Sequence, residues 1–170
     1  MYRLYMEFNV AQLIKDSPGA IKSCPLSDHL LSLENQTADK MSLLDTSKEI
    51  SLSGTAEMIR TDAGIWVTAI LNCEVVCQCA RCLSPHTLKL LLKIDEEYYL
   101  NTYISNTLEI EKTQFISNEN ILDLAPSIRD HIHLEIPLNP ICSKNCAGIC
   151  VNCGFNLNLD SCICKNTAEC

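Results

Sequence analysis

The chain has 170 residues, the length of one domain or of one domain with a small appendage. Apolar residues make up 47% of it and charged residues 20%, which excludes a wholly disordered protein. Its 13 basic and 21 acidic residues give a formal net charge of −8, which disfavours binding to DNA or RNA by neutralising phosphates.

The amino-terminal segment does not have the pattern of a secretory signal peptide. Four charged residues, Arg3, Glu7, Lys15 and Asp16, lie where a signal peptide requires an apolar stretch. Polar residues also interrupt the longest apolar candidate, at 65–79, so no run of about 18 apolar residues predicts a membrane span. We therefore expect a cytoplasmic protein without a membrane partner.

The first half of the chain predicts a strand, an irregular region and a hairpin. Residues 2–8 fit a strand followed by a short helix, whereas residues 20–48 show no clear period and suggest a loop or a weak helix around 38–44. Residues 49–60 and 65–77 are rich in β-branched side chains and are separated by a turn sequence with Asp and Gly, which predicts a β-hairpin.

The second half predicts further strands and one amphipathic helix. Residues 86–100 and 108–112 fit strands of an antiparallel meander. Asp123 is a candidate N-cap for a helix over about 124–135. Four residues of that segment share one face and are expected to pack on the sheet: Leu124, Ile128, Ile132 and Ile136.

These elements predict an α+β fold: a mainly antiparallel β-sheet or meander, one packed helix and a cysteine-rich zinc knob at the carboxyl end. The composition changes after Pro137 and Pro140 to short segments rich in Asn and Cys. We expect an α+β domain over 1–140 and a zinc-binding tail over 141–170 that packs on it.

Twelve cysteines are the most unusual feature of the composition. In a reducing compartment, cysteines at paired spacing more often bind metal or do redox chemistry than form disulfides. Four pairs have chelating spacing: Cys79 with Cys82, Cys142 with Cys146, Cys150 with Cys153, and Cys162 with Cys164. The other four, Cys24, Cys73, Cys77 and Cys170, are expected to be buried or surface thiols.

The last four paired cysteines, Cys150, Cys153, Cys162 and Cys164, predict a compact Zn²⁺ site. Gly154 follows Cys153, where the turn of such a site often needs positive φ.

The remaining two pairs predict a second Zn²⁺ site made of Cys79, Cys82, Cys142 and Cys146. A rival arrangement draws a single zinc from the six late cysteines and leaves the early pair as thiols. The sequence therefore allows one or two zinc ions per chain.

Sites of four thiolates are closed, because they leave no open coordination position for water. They favour a structural role, and the sequence contains no Gly-rich phosphate loop, nucleophile elbow or His-Glu-x-x-His motif, so we expect no enzyme activity. An alternative is a redox or thiol-stress sensor whose cysteine clusters release zinc on oxidation.

Four stretches together resemble the YceD family of bacterial and plastid proteins: CQCARCLSPHTLKL at 77–90, IDEEYYL at 94–100, ILDLAPSIRDHIHLEIPLNPIC at 121–142 and CAGICVNCGFNLNLDSCIC at 146–164. The residues that match its first motif are Cys79, Arg81, Cys82 and Leu83. Those that match its ending are Cys146, Gly148, Cys150, Cys153, Gly154, Asn156, Leu157, Asn158, Cys162 and Cys164.

The resemblance implies a non-enzymatic ribosome-biogenesis factor that supports accumulation of large-subunit ribosomal RNA, through its synthesis, processing or stability. The partner would be that RNA, contacted directly or through a ribosomal or processing protein, with no DNA expected. A small basic surface around Arg81, Lys89 and Lys93 is a candidate for direct contact. The acidity of the chain opposes such contact and favours a protein partner.

Overall fold

The structure is a computed structural model that describes residues 6–32, 49–100 and 114–166. The expected strand at 108–112, the weak helix around 38–44 and Cys170 lie outside the described residues. The described strands are β1 (Glu7–Asn9), β2 (Ile21–Ser32), β3 (Glu49–Arg60), β4 (Gly64–Gln78), β5 (Pro85–Leu100), β6 (Phe115–Ile116) and β7 (Ile121–Asp123). The helices are α1 (Ala11–Lys15) and α2 (Ala125–Glu135), and a 3₁₀ turn spans Ile163–Asn166.

The mainly antiparallel sheet is confirmed. Strands β2 to β6 form one sheet in chain order, with β3 and β4 as the expected hairpin and β5 as the third expected strand. The hairpin register pairs Arg60 with Ile65 next to the turn. Strand β5 and the short β6 pair in parallel, with Tyr99 opposite Phe115. Strands β1 and β7 form a separate antiparallel pair.

Strand β2 corrects the expectation of a loop or weak helix at 20–48, which is wrong for residues 21–32. This strand contains Pro25 and shifts its register against β3 between Leu26 and His29. Both features suit an edge strand, because one side of its backbone needs no partner. The strand is defined by its pairing with β3, a distant segment that a local sequence pattern does not reveal.

Helix α2 has the predicted apolar face. Leu124, Ile128, Ile132 and Ile136 are all buried. The Asp123 carboxylate accepts the N–H of Ala125 at 2.9 Å, and the Leu124 carbonyl accepts the first helical hydrogen bond, so Asp123 lies one residue before the N-cap position. No helix of the described residues is long and apolar enough to cross a membrane.

A partly buried polar network joins β5 to α2. The Tyr98 hydroxyl lies 2.6 Å from Oγ of Ser127, and Ser127 donates to Oε2 of Glu96, also at 2.6 Å. Nδ1 of His131 lies 2.8 Å from the Ser127 carbonyl oxygen and 3.8 Å from Glu96. These polar groups are thus satisfied inside the protein, as buried polar groups generally are.

The chain divides into two compact units. The first lies within Met1–Gln36, Thr46–Glu74 and Lys89–Glu135, and contains most of the sheet and α2. The second includes Val75–Leu88 and Ile136–Cys170, and contains all eight paired cysteines. The domain boundary at residue 140 stays a prediction.

Candidate metal centres

The first tetrad consists of Cys79, Cys82, Cys142 and Cys146. Its four sulfur atoms lie within 4.8 Å of one another. The Sγ atoms of Cys79 and Cys146 are 3.8 Å apart, and those of Cys82 and Cys142 are 3.7 Å apart. Tetrahedral zinc with Zn–S bonds of about 2.3 Å requires sulfur separations of about 3.8 Å. The geometry therefore fits one zinc ion.

The first tetrad is largely buried. Cys79, Cys82 and Cys146 form a small core against which Ile149 packs, whereas Cys142 is exposed. Sγ of Cys79 accepts the backbone N–H groups of Arg81 and Cys142, each at 3.4 Å. Such hydrogen bonds orient a thiolate and reduce the free energy needed to bury its charge.

Asn158 supports this tetrad from the last part of the chain, a role that sequence reasoning had not assigned. Its Nδ2 donates to Sγ of Cys146 at 3.4 Å, and its Oδ1 accepts the N–H of Ala147 at 2.8 Å. Asn156 hydrogen-bonds to the segment that follows Cys82, since its Nδ2 donates to Oγ of Ser84 at 3.0 Å. The signals in the sequence were the position of these two residues beside the cysteines and their match to the ending of the YceD family.

The second tetrad consists of Cys150, Cys153, Cys162 and Cys164, and its sulfur atoms also lie within 4.8 Å of one another. Sγ of Cys153 is 3.1 Å from Sγ of Cys162, which is closer than the sulfur separation of about 3.8 Å that tetrahedral zinc requires, so these two sulfurs would move apart to hold the ion. Only Cys162 is buried, and its Sγ accepts the N–H of Cys164 at 3.3 Å. The second tetrad has the same ligand chemistry as the first, but solvent reaches more of it.

The turns at Cys79–Cys82 and Cys150–Cys153 contain the same backbone hydrogen bond. The Leu83 N–H donates to the Cys79 carbonyl at 2.9 Å, and the Gly154 N–H donates to the Cys150 carbonyl at 2.8 Å. Leu83 has φ of 58° and Gly154 has φ of 73°. The positive φ expected at Gly154 is therefore present, and Leu83 adopts it as well, although a bulky side chain disfavours this conformation.

Within the first tetrad, the thiols differ in acidity. Burial opposes ionisation of Cys79, but backbone N–H groups, that of Cys142 foremost, outweigh it and lower the pKa of Cys79 to about 5. The hydrogen bond with the Cys146 side chain raises the pKa of Cys142 to about 12. Four adjacent sulfurs cannot all ionise without a cation, and a bound dication would let them do so.

The thiols of the second tetrad also differ in acidity. Backbone N–H groups of Cys153 and Asn152 lower the pKa of Cys150 to about 6. The hydrogen bond with the Cys153 side chain raises the pKa of Cys162 to about 12. Each tetrad thus contains at least one thiol whose pKa is lowered and at least one whose pKa is raised. Four cysteine ligands suit a soft divalent metal.

The structure gathers all eight predicted ligands into the two predicted groups of four. The early pair, Cys79 and Cys82, lies with Cys142 and Cys146 rather than apart from the late cysteines as the rival arrangement requires. That zinc binds at either tetrad stays a prediction.

The described cysteines outside the tetrads lie in strands β2 and β4. Cys73 is buried, and burial raises its pKa to about 11. Cys77 is also buried, with Sγ 3.5 Å from Nε2 of His86, and Cys24 is half-buried. Among the described residues, no other cluster of three or more His, Cys, Asp or Glu side chains has its ligand atoms close enough together to hold a metal ion.

Comparison with known proteins agrees with the resemblance to the YceD family. The family model for YceD, described as large ribosomal RNA subunit accumulation protein YceD, matches residues 67–169. An uncharacterized protein of Mycobacterium tuberculosis is 30% identical over 128 residues, 75% of this chain and 58% of the relative. The chain thus spans little more than half the length of this curated relative.

Two plant proteins match over a shorter stretch. The large ribosomal RNA subunit accumulation protein YCED homolog 1, chloroplastic, of Zea mays is 45% identical over 56 residues, 32% of this chain and 19% of that protein. Its Arabidopsis thaliana counterpart is 41% identical over 54 residues, 32% of this chain and 17% of that protein. No solved structure matches significantly. Because the family model covers more than half of the chain and includes both tetrads, this protein belongs to the YceD family.

Proposed function

We propose that this chain supports accumulation of large-subunit ribosomal RNA as a non-enzymatic ribosome-biogenesis factor of the cytoplasm. The observation that carries the proposal is the family match over residues 67–169, since the family is described by that role. The names of the two plant relatives state the same role for those proteins, in chloroplasts. The factor would act on the synthesis, processing or stability of the RNA.

Zinc would stabilise the second unit as part of this function. The sulfur separations of 3.8 and 3.7 Å in the first tetrad support a tetrahedral ion there. A four-sulfur site offers no open position for water, so the ion would fix the backbone instead of taking part in hydrolysis. Two ions per chain is the stoichiometry that two separate tetrads support.

The charge distribution favours a route to the RNA through a protein. Nζ of Lys89 is 3.2 Å from Oε1 of Glu74, and Nη1 of Arg81 donates to the Cys146 carbonyl at 3.2 Å. Two of the three basic residues expected to contact phosphate thus have partners within the chain. The net charge of −8 adds a general repulsion.

Depletion of the protein in its own host tests the proposed function. We expect mature large-subunit RNA to fall relative to small-subunit RNA, with recovery when the wild-type chain is expressed again. Normal amounts of mature and precursor large-subunit RNA in depleted cells would refute the proposal. Northern hybridisation with probes for the mature RNA and for its precursor makes the measurement.

The redox sensor remains a second candidate because of one contact. Sγ of the exposed Cys153 lies 3.1 Å from Sγ of Cys162. Hydrogen peroxide would take two electrons from the two thiolates and, with two protons, become two water molecules, while the sulfurs form a disulfide and release zinc. Unchanged zinc content after mild peroxide treatment of the purified protein would exclude this function.

A further inference from the structure

One segment of the second tetrad also contacts the first tetrad. Residues 154–161 lie between Cys153 and Cys162, two ligands of the second tetrad. Within this segment, Nδ2 of Asn158 donates to Sγ of Cys146, a ligand of the first tetrad, at 3.4 Å. We call residues 154–161 the bridging loop.

Asn156 connects the bridging loop to another ligand of the first tetrad. Its Nδ2 donates to Oγ of Ser84 at 3.0 Å. Hydrogen bonds from the backbone and the hydroxyl of Ser84 in turn lower the pKa of the Cys82 thiol. The bridging loop therefore reaches Cys146 through one hydrogen bond and Cys82 through two.

The two asparagines of the bridging loop also hold each other. Oδ1 of Asn156 accepts the backbone N–H of Asn158 at 3.0 Å and its Nδ2 at 2.7 Å. Oδ1 of Asn158 accepts the N–H of Ala147, directly after Cys146, at 2.8 Å. Each side-chain amide thus uses both its donor and its acceptor, which fixes the orientation of both side chains.

The second tetrad closes the bridging loop. Its ligands Cys153 and Cys162 stand at the two ends of the loop, and the four sulfur atoms of this tetrad lie within 4.8 Å of one another. A metal that joins these ends restricts the conformations open to the loop. Asn156 and Asn158 would then be in position before the first tetrad binds its own ion, which reduces the entropy lost on binding there.

Hydrogen bonds to metal ligands commonly change metal affinity by about 10- to 100-fold. A donor stabilises a ligand fully only while the donor itself is held in place. Ordering of the bridging loop at the second tetrad should therefore strengthen binding at the first. By thermodynamic linkage, an ion at the first tetrad then strengthens binding at the second by the same factor.

We propose that the two tetrads bind metal cooperatively and that Asn156 and Asn158 carry the coupling between them. The inference rests on the zinc-binding part of the proposed function and adds that the two sites are not independent. Asn158 is a positioning residue, since it acts on the Cys146 sulfur and not on the ion. Coupled sites fill together over a narrower range of free zinc than independent sites do.

Zinc withdrawal from four purified chains tests the coupling. The chains are the wild type, a chain without the second site (Cys153→Ser with Cys162→Ser), Asn158→Ala, and the combination of all three substitutions. A series of chelator concentrations removes the metal, and amide hydrogen exchange over 79–83 reports when the first tetrad loses it. With zinc in excess the first tetrad stays occupied in every chain, so the coupling changes its affinity and not its protection.

We expect the chain without the second site to bind zinc at the first tetrad about tenfold more weakly than the wild type. Asn158→Ala should show a loss of similar size, and the combined chain should bind no more weakly than either, because both changes remove the same placement of Asn158. Wild-type affinity in either parent variant would overturn the proposal. Losses that multiply to about a hundredfold would also overturn it, since the two changes would then act independently.

Asn158→Asp separates the donor from the rest of the side chain. It keeps the acceptor for the Ala147 N–H and loses the donor to Cys146. We expect first-tetrad affinity to fall at least as far as in Asn158→Ala. Wild-type affinity in this variant would show that the bond to the sulfur does not carry the coupling.

Asn152→Ala is the matched control. Asn152 is an exposed residue between Cys150 and Cys153, and it hydrogen-bonds to the Cys150 thiol through its backbone. We expect this variant to keep wild-type affinity at the first tetrad. A loss equal to that of Asn158→Ala would contradict the specific role of the bridging loop.

The possible outcomes distinguish this inference from the proposed function. Two zinc ions bound with independent affinities would refute the coupling and leave structural zinc in place. A wild-type chain that binds no zinc at either tetrad would refute both. The amount of large-subunit RNA in depleted cells tests the ribosomal role separately from either result.

Discussion

The two units of this protein are built around different kinds of core. The first unit buries aliphatic side chains such as Leu71 and Ile128, together with Tyr98 of the polar network. In the second unit, the buried cluster around the first tetrad consists of Cys79, Cys82 and Cys146. Apolar burial contributes stability without a cofactor, whereas adjacent thiols repel as they ionise unless a cation holds them. The first unit should therefore fold without metal and the second should require it.

Cys79→Ser is expected to give the largest effect, because it removes a buried ligand that accepts two backbone N–H groups. Loss of one partner from a buried charged cluster costs on the order of 3–5 kcal/mol. We expect one zinc ion fewer per chain and faster amide hydrogen exchange over 75–88 and 136–149. Plasma mass spectrometry and hydrogen exchange measure the two effects.

The matched control is Cys73→Ser, since Cys73 is buried in β4 outside both tetrads. It should keep the full zinc content. Equal loss of zinc in both variants would contradict the assignment of ligands.

Ile128→Ala tests the first unit by the same logic. The side chain is fully buried on the apolar face of α2, and such truncations cost about 2–5 kcal/mol. We expect a lower urea midpoint for the sheet and α2 with zinc content unchanged. Loss of zinc from this variant would show that the two cores are not independently stabilised.

Cys153→Ser compares the two tetrads within the second unit. Cys153 is exposed, so the hydroxyl stays hydrated and the damage should remain local. We expect the second tetrad to lose zinc and residues 150–164 to exchange faster, while the first tetrad and the sheet keep their protection. Global unfolding would contradict this difference between the tetrads.

Tyr98→Phe tests the polar network of the first unit. It removes the hydrogen bond to Ser127 and should cost about 1 kcal/mol near neutral pH. Burial raises the pKa of Tyr98 above its usual range, so its contribution is complete below the unfolded-state pKa of about 10 and is lost as pH rises above it. Urea unfolding at several alkaline pH values should give a flatter profile for the variant. Parallel profiles would show that Tyr98 is not the group responsible.

The sequence predicts those parts of the molecule whose pattern is local. The spacing of the cysteine pairs anticipates both groups of four, and the i, i+4 spacing from Leu124 anticipates the buried face of α2. Strand β2 was missed because Pro25 and the register shift conceal it, and its pairing with β3 is long-range. The bond from Asn158 to Cys146 was missed because Asn is also the ordinary residue of turns.

The smallest expected effects are at Leu83, which follows Cys82, and at Gly154, which follows Cys153. Opposite substitutions at these two positions should change the two tetrads in opposite directions. Leu83 holds positive φ with its side chain 55% exposed, and a left-handed backbone costs a bulky residue about 1–2 kcal/mol. Glycine relieves this strain but adds about 0.5–1 kcal/mol of unfolded-state entropy, so Leu83→Gly should stabilise the first turn by roughly 0.5 kcal/mol.

Gly154→Ala should destabilise the second turn by a similar amount. A Cβ there meets nothing within 4 Å, so only the backbone preference changes. Chelator competition measures the zinc affinity of each tetrad. Because 1.4 kcal/mol corresponds to about a tenfold change in affinity, Leu83→Gly should raise the affinity of the first tetrad about twofold and Gly154→Ala should lower that of the second about twofold. Weaker zinc binding in Leu83→Gly would mean that the leucine side chain stabilises its turn through contacts that outweigh its strained backbone.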